Sequence, residues 1–99
     1  MKVYISGKIS GTNLTETRKR FAAAAKVTKK LGYEPVNPFE NGLTEHDTWE
    51  AHIVKDIATL LQCKAIYMLQ GWQDSKGARI EHYIATEIGI PITYEIEKL

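Results

Sequence analysis

Cysteine is all but missing. Cys63 stands alone among 99 residues, so no intrachain disulfide can form and a reducing, cytoplasmic setting is expected. An excess of one charge is missing too: thirteen Lys and Arg face twelve Asp and Glu, for a formal net charge of +1. Non-specific nucleic-acid binding needs an evident basic excess, so a nucleic-acid partner is not expected. No apolar run approaches the roughly 20 residues of a membrane-spanning helix, and "MKVYISG" meets a glycine too soon for a signal peptide. His46, His52 and His82 lack metal-ligand spacing, so they read as surface residues and neither a metal nor another cofactor is expected. Repeats, linkers and low-complexity stretches are absent, and the length suits one domain over residues 1–99.

What is present alternates between two periodicities. "KVYIS" (residues 2–6) is β-branched and aromatic and reads as a strand. "GKISGTN" reads as a loop. Thr15 to Leu31 read as a helix whose buried face carries Phe21, Ala24, Ala25, Thr28 and Leu31, with Gly32 as its stop. "YEPVN" is a second strand, and Pro35 assigns it to a sheet edge because proline cannot donate to the ladder. After a loop, Asp47 and Glu50 form a capping box for a helix running to Gln62, striped by Trp49, Ile53, Ile57, Leu60 and Leu61. "KAIYML" is nearly all apolar, as befits a strand covered on both faces. A loop from Gln70 leads into a third helix that ends near Ile88 before Gly89 and Pro91, and "ITYEI" is the last strand. The order βαβαβαβ predicts a three-layer α/β fold of flavodoxin or Rossmann type. Its parallel four-stranded sheet, in the order 2-1-3-4, carries helices on both faces. Ligands of such sheets sit beyond the strands' carboxyl ends, where strand order reverses. The loops after the first three strands are therefore the ones to examine.

Two acids break the patterning. With Ile80 at zero on a helical wheel, Ile84 lies at about 40°, Ile88 at about 80° and Glu81 at about 100°. Glu81 thus points into the apolar sector of its helix. With Trp49 at zero, Ile53 lies near 40°, Leu60 near 20° and Asp56 near −20°, so Asp56 sits at the edge of the second helix's buried stripe. Both helices flank the third strand, which lets the two carboxylates converge. Glu81 lies early in its helix, where the dipole favours an anion, and so suits a nucleophile. Asp56 lacks that help and holds a proton more readily. Either acid alone also reads as a structural, partly buried carboxylate satisfied by hydrogen bonds or an Arg or Lys partner, whereas paired carboxylates in distinct environments are the equipment for cleaving a glycosidic bond.

The loops supply candidate contacts. The backbone of Gly7, Lys8, Ile9, Ser10 and Gly11 forms an ordinary turn or offers N–H groups to an anion, to which Lys8 adds a charge. Ser75 and Gly77 open the third helix as a second anion cradle, although Ser75 serves equally as a plain N-cap. Trp72 is placed to stack on a base or to cap the core. Asn37 is placed to read a base edge or to start an Asn-Pro turn. Tyr4 faces one side of a central strand.

Together, "VYISGKISG", "NP", "KDIATLLQC" and "GWQDSKGARIEHYIATEIGIP" resemble the nucleoside 2-deoxyribosyltransferase-like superfamily, and most closely its short DUF4406 branch, over nearly the whole chain. The resemblance implies that Glu81 attacks the anomeric carbon of a (deoxy)ribosyl group, that Asp56 protonates the leaving base and that Tyr4 orients the nucleophile. The covalent sugar–enzyme is then resolved by another base or by water. The superfamily's deoxynucleoside 5′-monophosphate hydrolases carry a serine at the place of Ser75 and its transferases an aspartate. Ser75 and Lys8 thus favour a phosphorylated substrate. Lys8 departs from the branch's usual proline and Lys64 from its usual aspartate. Characterised members complete their sites with a C-terminal residue from a neighbouring subunit, which implies a homo-oligomer with sites near the interface. The leading expectation is an enzyme that cleaves or transfers at the N-glycosidic bond of a nucleotide or (deoxy)nucleoside. The alternative is a non-catalytic nucleotide-binding, regulatory module of the same fold.

Overall fold

The computed structural model describes residues 1–96. Four strands, β1 (Lys2–Ser6), β2 (Glu34–Val36), β3 (Ala65–Met68) and β4 (Ile92–Tyr94), alternate with three helices, α1 (Leu14–Lys30), α2 (Trp49–Leu60) and α3 (Lys76–Ile88). Two short 3-10 turns, Pro38–Glu40 and Trp72–Asp74, precede α2 and α3. The strands form one sheet in the order β2-β1-β3-β4, and every pairing is parallel. This is the predicted three-layer arrangement. Pro35 lies on the edge strand β2, opposite Val3, where its missing N–H costs the ladder least.

Side-chain alternation along β1 divides the interior into two cores. Ile5 faces α1 and packs with Phe21, Ala24 and Leu69. Tyr4 faces the other way, into a cluster with Leu60, Ile66, Met68, Ala78 and Ala85 beneath α2 and α3. Tyr4 and Ser6, two residues apart, therefore share a face. β3 is buried on both sides, which is why its sequence does not alternate. α1 covers one face of the sheet and α2 and α3 the other, so strand order reverses between β1 and β3.

The local signals hold with small displacements. Asn13 caps α1 by accepting from the Glu16 N–H, and Ser75 caps α3 by accepting from the Ala78 N–H. Gly32 and Gly89 take positive φ of 93° and 75° just past α1 and α3, a conformation costly for other residues. The predicted capping box of Asp47 and Glu50 does not form. Asp47 closes the preceding turn instead, accepting from the Thr44 N–H at 2.8 Å, and Thr48 takes over as N-cap of α2 through the Ala51 N–H. Leu31, expected on the buried face of α1, is 70% exposed because the chain leaves the helix there. Among the described residues no helix is long and apolar enough to cross a membrane.

Candidate functional site

The loops after β1 and β2 and the first turns of α2 and α3 enclose a cavity of about 430 Å³, the size of a small-molecule pocket. It opens at the carboxyl end of β1, beside the point where strand order reverses, as the topology predicts. A second cavity of about 320 Å³ adjoins it, and both share Tyr4, Pro38 and Asp56 as walls.

Glu81 lies at the wall of the larger cavity, 5% exposed. Ser6 Oγ donates to its Oε1 at 2.7 Å and Tyr4 Oη donates to its Oε2 at 2.8 Å. Both hydroxyls come from one face of β1, more than seventy residues away in sequence. Burial pushes the Glu81 carboxyl up to about 7. The bonds from Ser6 and Tyr4 pull it down, and the nearby Asp56 charge adds to the rise. The sequence expectation of a carboxylate kept charged by its helix is thus corrected. Glu81 is the sixth residue of α3, beyond the first turn where the dipole acts, and desolvation prevails. Burial and the Glu81 charge together raise the Tyr4 phenol well above its ordinary range, so it remains a donor.

Asp56, 8% exposed, lines both cavities. Burial raises its carboxyl, while a hydrogen bond from Asn41 and the neighbouring His52 draw it back. Asn41 Nδ2 donates to Asp56 Oδ1 at 3.0 Å and lies 3.2 Å from His52 Nδ1. His52, read from sequence as a surface residue, is half-buried and lines the cavity.

Of the other sequence candidates, Gly7, Ile9, Ser10, Gly11, Ser75 and Gly77 line the cavity with Tyr4, Asp56 and Glu81. Gly7 has a packing reason as well: a Cβ there would come within 3.0 Å of Leu69 Cβ and 3.1 Å of Phe21 Cζ. Ser75 is engaged as a cap, yet its hydroxyl proton faces no partner among the described residues. Asn37 serves as the turn starter, its Oδ1 accepting from the Phe39 N–H, and borders only the second cavity. Lys8 and Trp72 are not among the lining residues. Trp72 stacks on His82 with ring centroids 4.2 Å apart. Among the described residues, Arg18 brings its guanidinium to the wall, 4.7 Å from the Phe39 ring centroid.

Sequence reasoning missed Ser6, Asn41, His52 and Arg18. Two of them carried a signal: Ser6 is two residues from Tyr4 on a strand, and His52 is four from Asp56 on a helix, so each shares its partner's face. Asn41 and Arg18 carried none, because a loop path and the approach of α1 to the Pro38–Glu40 turn bring them in.

The open parallel α/β sheet in the order β2-β1-β3-β4 is a nucleoside 2-deoxyribosyltransferase-like fold. A solved 2-deoxyribosyltransferase from the psychrotolerant bacterium Bacillus psychrosaccharolyticus shares it. The superposition has a TM-score of 0.73 at 19% identity and covers 99% of this chain and 77% of that one. That enzyme is described as a biocatalyst for nucleoside synthesis. The chain itself belongs to the DUF4406 family, a domain of unknown function, which matches residues 1–94. No curated protein matches the sequence.

Proposed function

We propose that this domain cleaves, or transfers the base at, the N-glycosidic bond of a nucleotide or (deoxy)nucleoside. The observation that carries this reading is Glu81, gripped on both oxygens by β1 hydroxyls at the wall of a cavity that Asp56 also lines. An ionised Glu81 oxygen attacks the anomeric carbon. The carbon–nitrogen bond breaks, its electron pair goes to the base nitrogen, and Asp56 supplies the proton. A second base or water then attacks the same carbon, Glu81 departs as carboxylate, and Asp56 recovers a proton. Tyr4 and Ser6 hold the nucleophile and favour its ionised form. The resemblance of the sequence to the superfamily and the nucleoside chemistry of the structural neighbour point the same way. Arg18 and the Ser75 hydroxyl provide the cavity with a cation and a donor suited to a phosphorylated substrate.

Incubation with a panel of nucleosides and their 5′-monophosphates, with free base followed by chromatography, tests the reading. Base release is expected from at least one of them and is lost in Glu81→Ala. No release from any substrate, or release unchanged by that substitution, overturns it.

A further inference from the structure

Thr44, Asn41, His52 and Asp56 form one hydrogen-bonded chain whose donors and acceptors are determined once the His52 ring is neutral. The Thr44 carbonyl can only accept, so His52, at 2.7 Å, carries its proton on Nε2. In the neutral ring Nδ1 is then an acceptor and takes one hydrogen of the Asn41 amide at 3.2 Å. The amide's orientation is fixed independently, since Asn41 Oδ1 accepts from the Leu43 N–H at 2.9 Å. The second amide hydrogen goes to Asp56 Oδ1 at 3.0 Å. Asp56 Oδ2 makes no hydrogen bond within the described residues. No fully buried side-chain oxygen there lacks a partner, so Oδ2 is open to the cavities.

We infer that Asn41 and His52 are positioning residues for the acid: they hold Asp56 so that its exchangeable proton resides on Oδ2, and they tie that setting to the loop that walls the cavity. The inference rests on the function proposed above, in which Asp56 protonates the leaving base. A proton on Oδ1 would face the Asn41 N–H, donor against donor, so the neutral acid must carry it on Oδ2. Leu43 and Thr44 belong to the cavity wall. The same bonds thus fix the wall and aim the acid. His52 and Asp56 stand one helical turn apart on α2, which keeps the anchor and the acid on one face.

Two measurements test this, one of them independent of turnover. In histidine ¹⁵N NMR, neutral His52 is expected to show the Nε2–H tautomer. In ¹³C NMR titration, the Asp56 carboxyl is expected to titrate at higher pH in Asn41→Ala than in wild type. An Nδ1–H tautomer, or an Asp56 titration that does not move, overturns the arrangement. In turnover, Asn41→Ala and His52→Leu are expected to lower kcat about tenfold with KM little changed, a fraction of the 10²–10⁴ that a positioned acid supplies. His52→Gln, which keeps an acceptor for Asn41, is expected to recover part of the loss. A p-nitrophenyl glycoside of the same sugar, whose leaving group needs no proton, is expected to react unimpaired. Equal losses on both leaving groups overturn the positioning role, with folding checked by circular dichroism. Absence of base release in the wild type overturns the glycosidic reading alone, because the NMR arm reads the arrangement without turnover.

Discussion

Glu81 is held where water cannot solvate its charge, and two hydroxyls compensate only part of the loss. Its carboxyl titrates near 7 in the folded protein against an ordinary 4.5, so the folded state binds this proton more tightly than the unfolded chain. The resulting stabilisation is complete below about pH 4.5 and is lost as the pH rises to about 7. A shift of this size corresponds to on the order of 3 kcal/mol. Glu81→Gln removes the penalty, because an amide both donates and accepts and each neighbouring hydroxyl can turn to match. The variant is expected to melt several degrees above wild type at pH 8, with a smaller difference at pH 5, as calorimetry at the two pH values would show. In the proposed reaction attack requires ionised Glu81, so kcat/KM is expected to rise with pH through about 7. Tyr4→Phe, which deletes a donor to the carboxylate, is expected to move that limb to higher pH. A pH profile of base release checks both. The sequence showed which way Glu81 points but not its charge. Side-chain direction follows from helical period, whereas the pKa depends on what surrounds the group.

Elements are where the sequence was most legible. Ser75 caps its helix, and Gly32 and Gly89 end theirs, by rules that need only near neighbours. The failure at Asp47 is instructive, because two capable side chains compete there and the turn at Thr44 captures the aspartate. Thr48→Ala is therefore expected to cost about 1 kcal/mol, the usual value for an N-cap. Chemical denaturation of Thr48→Ala reads this loss directly. Gly7 ends β1 against Leu69 and Phe21. Gly7→Ala must push one of them aside, and overpacking of this kind costs about 1–3 kcal/mol. A lowered midpoint in the same denaturation series, with base release diminished because β1 carries Tyr4 and Ser6, is the expected result.

At the scale of the whole molecule, the crossover from β2 to β3 passes β1 and changes face, and this creates the crevice into which the loops project. A ligand that binds only the folded state stabilises it by about 2.7 kcal/mol at a hundred times its Kd. A nucleotide added to Glu81→Ala, which on the proposed mechanism cannot turn it over, is expected to raise Tm in a thermal-shift assay. Unchanged Tm for the whole nucleotide panel would favour a domain whose acids are structural. Large apolar side chains lie on the outer surface, among them Val54 on α2 and Tyr83 on α3, where the homo-oligomer that the sequence resemblance implies would cover them. Sedimentation velocity is expected to give a mass above that of one chain.

The sequence alone determined the element order, the parallel sheet with β2 at its edge, and the turning of Glu81 and Asp56 toward buried faces. Each follows from a period, a cap or a missing N–H, and such constraints act over a few residues. Only the tertiary structure decided the company these acids keep. Ser6 and Tyr4 reach Glu81 across more than seventy residues, Asn41 bridges His52 and Asp56, Arg18 enters the cavity wall, and Trp72 stacks on His82. These placements depend on where loops run and how layers dock, and desolvation at their meeting point sets the charge of Glu81. No local pattern contains that information, because the groups involved become neighbours only when the sheet closes against its helices.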